Sequence, residues 1–269
     1  MPHTLQITVD SVVINHRYHE VPNTTPLLLI HGHGCDFRGL EQLADQLDCT
    51  TLIIDIPGFG GSSKLERYQI ADFTAVFKHF VSVLDLKEYN LLGHSLGSAL
   101  ALALAADDTR AQRLILLNPI PEFSAFIQTV LLALNGFSRK IPEQFAERLI
   151  HANLYNLATF LLHSRNRRNL RYAKNYLSQQ KSSHYDLKAW SESGEAIYTL
   201  DQFKLAKTVL QPTLLLHGDK DSMTSIAAVE DFTHAFGHAR LKRLKKHGHF
   251  MHMEASHEVA KAINSFLNT

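Results

Sequence analysis

Three short stretches of this 269-residue sequence carry side chains that could act together on a carbonyl carbon. Gly93-His94-Ser95-Leu96-Gly97 is a G-x-S-x-G element. A serine hydroxyl is a poor nucleophile until a base takes its proton, and the base needs a carboxylate to orient it. His217-Gly218-Asp219-Lys220-Asp221 offers carboxylates, and His247-Gly248-His249-Phe250 offers imidazoles with His252 just behind. The order serine, then aspartate, then histidine is one of three convergent chain orders for this chemistry. The spacing alone leaves the individual assignments open. Asp219 and Asp221 are two residues apart, Glu122 is a further carboxylate candidate, and His247, His249 and His252 lie close together.

Other residues invite a chemical reading and keep a plainer one. His31, His33, His94 and His217 fall at strand ends, but no recognised ligand spacing links them, so no metal is expected. Cys35 sits near the first of these histidines and reads as a small buried hydrophobe, not a nucleophile. Trp190 could line a pocket, although aromatic residues at helical spacing are more often core.

The elements that must position the serine are legible as alternating strands and helices. Leu5 to Tyr18, with Asp10-Ser11 at its middle, reads as a β-hairpin. Leu27–Ile30, Thr51–Ile54, Asn90–Leu92, Leu114–Leu117 and Thr213–Leu216 are short unbroken apolar runs that stop at glycine or polar residues. Such runs suit strands buried on both faces of a parallel sheet. Phe73, Phe77, Val81 and Leu84, and then Leu96, Leu100, Ala103 and Leu104, recur at helical steps between them. The chain is therefore an α/β protein, with the serine at a strand-to-helix turn.

One interval breaks the alternation. Between Pro119 and Pro212 there is no convincing strand, while Phe126, Val130 and Leu134, and Phe145, Leu149, Leu154, Leu157 and Leu161, follow helical spacing. A structureless loop of that length would be exceptional. The expected organisation is a core over 1–121, a helical cap insertion over 122–208, and the rest of the core over 209–269. From Glu122 to Lys207 the chain has twelve Lys/Arg and seven Asp/Glu, a balance of +5. The run Arg165-Asn166-Arg167-Arg168 with Arg171 and Lys174 supplies much of it. A solvated helix face is the plain reading; a landing site for an acidic carrier protein or an anionic substrate tail is the sharper one.

These motifs resemble the α/β-hydrolase family, in its cap-bearing serine-esterase branch, and the likeness covers nearly the whole chain. It rests on His31-Gly32-His33-Gly34, on Asp55-Ile56-Pro57-Gly58-Phe59-Gly60-Gly61-Ser62, on the G-x-S-x-G element, on Gly218 to Asp221 and on Gly248-His249. The resemblance implies a mostly parallel central sheet flanked by helices. It implies Ser95 as nucleophile, Asp221 as acid, with Asp219 holding the loop, and His249 as base. It also implies an oxyanion hole made by the backbone N–H groups of His33 and Leu96. Serine at position 95 disfavours the epoxide-opening and dehalogenating branches, which use a carboxylate there. Prolyl aminopeptidase relatives usually carry Trp where this chain has Leu96, and menaquinone-pathway synthases usually carry Arg where it has Ser98.

The expected function is hydrolysis of a carboxylic ester or thioester of a small or acyl-chain substrate through an acyl-enzyme, with no cofactor. The alternatives are a carbon–carbon bond hydrolase of the same fold and a ligand-binding receptor that keeps the triad without using it. Lys+Arg 27 against Asp+Glu 26 leaves a net charge of +1, which argues against a nucleic-acid partner. No apolar run approaches a membrane span and no secretory signal is visible, so a cytoplasmic location is expected.

Overall fold

The structure is a computed structural model that describes residues 3–124 and 186–269. Its first two strands, β1 (His3–Val9) and β2 (Val12–His19), form the expected hairpin. Asp10 and Ser11, with φ of 46° and 70°, make the two-residue turn, whose left-handed conformation matches the twist of the paired strands. There follow β3 (Leu27–Ile30), α1 (Arg38–Ala44), β4 (Thr51–Ile54), α2 (Ile70–Val83), β5 (Tyr89–His94), α3 (Leu96–Asp107) and β6 (Ala111–Leu117). Beyond the undescribed interval come α4 (Leu187–Thr199), α5 (Gln202–Ala206), β7 (Thr213–Gly218), α6 (Ile226–His234), β8 (Ala239–Leu244), α7 (Met251–Glu254) and α8 (Ser256–Leu267).

The eight strands form one sheet in the order β1-β2-β4-β3-β5-β6-β7-β8, and every pair from β4 to β8 is parallel. The unbroken apolar runs are buried on both faces, as the pattern predicts. Leu28, Ile30, Leu52, Ile54, Leu91, Leu114, Leu116 and Leu215 point into one cluster with α2 and α3. Leu27, Leu29, Ile53, Leu92, Ile115, Leu117, Leu214 and Leu216 point into the other with α1 and α8. α3 is buried from Leu96 to Ala105, which makes it a rigid rod through the first cluster.

β8 is the strand that apolar patterning does not reveal. Ala239-Arg240-Leu241-Lys242-Arg243-Leu244 is an edge strand that pairs only with β7 among the described residues, so half of it is exposed and it carries cations. Charged side chains are what edge strands use to resist pairing with another chain. α4 and α5 are helices, and their Ala189, Ile197 and Ala206 pack into the first cluster. The other helices expected there, and Arg165, Arg167, Arg168, Arg171 and Lys174, lie outside the described residues. Among the described residues, no helix is long and apolar enough to cross a membrane.

The strand order reverses direction at β3. The chain moves from β3 outward to β4, then returns to place β5 on β3's other side. The carboxyl ends of β3 and β5 therefore border a crevice, the usual ligand position in open parallel sheets. His31 to His33 and Ser95 leave the sheet there.

Candidate active site

Ser95 occupies the single residue between β5 and α3, with φ 55° and ψ −114°. A serine at positive φ is strained, and the surrounding backbone holds it there. The Ser95 N–H donates to Leu117 O at 3.1 Å, and its carbonyl accepts from the Ser98 N–H at 2.9 Å. Ser98, buried one turn on, donates its hydroxyl to Gly93 O at 2.7 Å. The turn is too tight for side chains. A Cβ on Gly93 would sit 2.0 Å from Gly97 O, and one on Gly97 would sit 2.1 Å from Ile30 O. The glycines of the motif are thus set by backbone crossing backbone. A Cβ on Gly32 would lie 3.3 Å from Ser95 Cβ, so the β3 loop runs directly beside the serine.

The structure separates the carboxylates that spacing left open. Asp221 Oδ2 accepts from His249 Nδ1 at 2.8 Å, and the Asp221 side chain is fully buried. Its other oxygen accepts the Met223 N–H at 2.8 Å. Asp219 instead accepts the Lys246 N–H, fastening the two loops together. Glu122 is exposed. Burial alone would raise the Asp221 carboxyl; the charge and hydrogen bond of His249 outweigh it and hold Asp221 below the ordinary carboxylate value.

The histidines separate likewise. His247 faces Glu254 and Glu258, and His252 is buried behind the ring of His94 with centroids 4.1 Å apart. His249 is the one bonded to Asp221. Its backbone carbonyl accepts from His94 Nε2 at 3.0 Å, which ties the His249 loop to the residue before Ser95. His31 donates Nδ1–H to Gly32 O at 2.8 Å and accepts the Ile56 N–H on Nε2 at 3.0 Å, so its tautomer is fixed and its role is to brace the β3 loop. Burial pushes His31, His33 and His217 down to about 4 and His252 to about 3. Among the described residues, no three His, Cys, Asp or Glu side chains come together as metal ligands.

His33 lies in the loop after β3, following Gly32, and Leu96 follows Ser95 in the first turn of α3. The positive end of α3 lies at the same place, where negative charge is favoured. The His33 ring donates Nε2–H to Trp190 O at 2.8 Å and packs on the Trp190 ring at 4.2 Å. Trp190 is therefore both packed on the core and placed at the crevice. Cys35 is buried and is not in a disulfide.

The motif reading missed two groups. Asn118, at the end of β6, donates Nδ2–H to Asp221 Oδ2 at 2.7 Å. Its visible signal was an Asn-Pro pair ending an apolar run, since asparagine tolerates the left-handed conformation found there, φ 44°. His94 was noted as one of four histidines, but its bond to the His249 carbonyl depends on tertiary structure.

The family model described as alpha/beta hydrolase fold matches residues 25–256. The chain belongs to the alpha/beta hydrolase family. Among its relatives, this alpha/beta hydrolase is 27% identical over 271 residues to the biotin biosynthesis bifunctional protein BioHC of Teredinibacter turnerae. That match covers 91% of the chain and 45% of the relative, so the chain spans about half the length of that bifunctional protein. It is 25% identical over 282 residues to a Haemophilus influenzae protein described as an esterase/lipase, with 95% of the chain and 88% of the relative covered. Among solved structures, the enol-lactonase from Burkholderia xenovorans LB400 superposes with a TM-score of 0.81 at 19% identity. The superposition covers 98% of the chain and 100% of the enol-lactonase, a likeness of fold.

Proposed function

We propose that this alpha/beta hydrolase cleaves a carboxylic ester or thioester of a small or acyl-chain substrate, with Ser95 as nucleophile, His249 as base and Asp221 as acid. The observation that carries the reading is the 2.8 Å bond from His249 Nδ1 to Asp221 Oδ2, made in a loop fastened to the strained turn of Ser95. With Nδ1 donating to the carboxylate, the ring's lone pair is on Nε2, the tautomer a general base needs. His249 takes the Ser95 proton as Oγ attacks the carbonyl carbon, and the N–H groups of His33 and Leu96 receive the oxyanion. His249 then returns the proton to the leaving alcohol or thiol. Water repeats the sequence, and the acid departs from Ser95. Every atom is supplied by substrate, water and these residues, so the reaction needs no cofactor.

The esterase/lipase description of the Haemophilus influenzae relative supports the ester class. The expected helical cap over 122–208 belongs to the same reading, with Trp190 on α4 placed to form one wall above the oxyanion loop. The test is turnover of p-nitrophenyl esters of graded chain length, and of matched thioesters, together with fluorophosphonate labelling. Wild type should turn over at least one series and be labelled, while Ser95→Ala should do neither. Labelling that persists in Ser95→Ala would assign the nucleophile elsewhere, and a folded wild type inert to both would favour a receptor.

A further inference from the structure

Asp221 is faced by side chains from three elements. Two of them share one oxygen: His249 Nδ1 reaches Oδ2 at 2.8 Å and Asn118 Nδ2 reaches it at 2.7 Å. The third, His217 on β7, holds Nδ1 3.9 Å from the same oxygen. His217 is fully buried, and neither of its ring nitrogens has a hydrogen-bond partner among the described residues. A buried imidazole lacking a partner is a standing competitor for a nearby carboxylate, because leaving its N–H unpaired is costly. Asn118 is itself fully buried, and its backbone N–H donates to Leu216 O at 2.9 Å, which clamps it between β6 and β7. Its Nδ2 also lies 3.5 Å from Gly248 O, next to His249. One amide therefore touches the acid and the loop that carries the base.

We propose that Asn118 is a positioning residue that fixes the Asp221 carboxylate on His249 instead of His217 and sets the basicity of His249. The proposal rests on the Ser95–His249–Asp221 reading. The first effect is geometric: with Met223 N–H on Oδ1 and Asn118 on Oδ2, the carboxylate cannot turn about its Cβ–Cγ bond toward His217. The second is electrostatic. A donor on Oδ2 spreads the carboxylate's charge, so the imidazolium of His249 draws less from it. Without that donor, the carboxylate's full charge falls on the His249 imidazolium. The other titratable groups around His249 among the described residues are His94 from β5, His217 from β7, His252 from α7, and Glu254, whose carboxylate accepts the Gly248 N–H at 3.2 Å. A change at position 118 alters none of them chemically, so a moved pH limb reports on Asp221 and His249.

Asn118→Gly removes the amide and keeps the positive φ without strain. Asn118→Ser leaves a shorter donor and is the milder change should the glycine variant not fold. The readouts are the pH dependence of the fluorophosphonate labelling rate, kcat and KM on the best ester, and the melting temperature. For Asn118→Gly the plateau rate should fall about tenfold, the equivalent of one lost hydrogen bond of about 1.4 kcal/mol. KM should stay within about twofold, because the amide acts on the base and not on bound substrate. The acid limb should move to higher pH, with Asn118→Ser falling between. A plateau that drops at every pH with the limb unmoved would make Asn118 merely structural, and unchanged rate and limb would remove the role altogether; either overturns the proposal. Failure of the underlying reading is distinct, since it shows in wild type and Ser95→Ala before position 118 is changed.

Discussion

Replacing Gly97 by alanine sets two physical effects against each other. Gly97 lies in the first turn of α3, where intrinsic helix propensity favours alanine by about 1 kcal/mol. The new Cβ, however, would meet Ile30 O at 2.1 Å and His31 O at 2.5 Å. Both are backbone atoms, so no side-chain rotation relieves the contact. Restoring ordinary separation requires α3 and the end of β3 to part by about 1 Å, and overpacking of this kind costs roughly 1–3 kcal/mol. Two simultaneous carbonyl contacts place it at the upper end, for a net loss of about 2 kcal/mol after the propensity gain. In a chain of this length that is a melting temperature lowered by about 4 °C. Parting those elements also separates Ser95 from the His33 loop, and a misplacement of about 1 Å costs on the order of 100-fold in rate. Thermal unfolding by circular dichroism and ester turnover measure the two effects. Gly237→Ala is the control, since a Cβ there meets nothing within 4 Å. If Gly97→Ala melts at or above wild type, the backbone contact is not tight and the explanation of the G-x-S-x-G glycines fails.

Other outcomes follow from the same geometry. Asp221→Asn should lower kcat by about 10³–10⁴ by disfavouring the required tautomer, whereas Asp219→Asn keeps an acceptor for the Lys246 N–H and should change little; equal losses would unseat Asp221. His33→Ala removes the bond to Trp190 O and should cost about 1–2 kcal/mol, a fall of roughly 2–4 °C on melting; a wild-type melting point would mean that α4 is held by other contacts. Denaturant stability should fall as pH drops from about 6.5 to 4, because the unfolded chain protonates His31, His33 and His217 in that window while burial keeps them neutral in the fold. Asp55 opposes this: burial, with Asp36 nearby, pushes its carboxyl up to about 7, so its contribution shrinks as pH rises. Three histidines outweigh one aspartate, and a stability that rises on acidification would contradict the burial assigned to them.

The central strands were legible because they are buried on both faces, so sequence and environment carry the same signal. Leu27–Ile30 and Thr51–Ile54 coincide with the observed elements. β8 was not legible, because half of its residues face solvent at an edge and its charges hide the alternation. The strand-to-helix setting of Ser95 could be read because the glycines on either side reflect a local backbone requirement. Partnership is different. Asp219 and Asp221 have the same chemistry and nearly the same position, and what separates them is where the β7 loop turns. Asn118 joins Asp221 across 103 positions, and no local pattern records that encounter.

The hydrogen bond between His94 and the His249 carbonyl spans 155 positions, and it bears on how this protein comes into being. Ser95 leaves the ribosome with β5 and α3, in a segment whose early strands can already pair. Asp221 and His249 are made more than a hundred residues later. α8 then returns to the beginning of the chain, where Ser256 Oγ accepts from Gln46 Nε2 at 2.8 Å and Asn264 Nδ2 donates to Asp48 at 2.9 Å. Contacts between such distant segments form late, since closing long loops is entropically costly. A nascent chain halted before β7 would display Ser95 without Asp221 or His249. On the proposed reading, competence arrives only when β7 and the loop that follows β8 have joined the sheet, so a protease that clips the docked α8 would act as an off-switch without approaching the crevice.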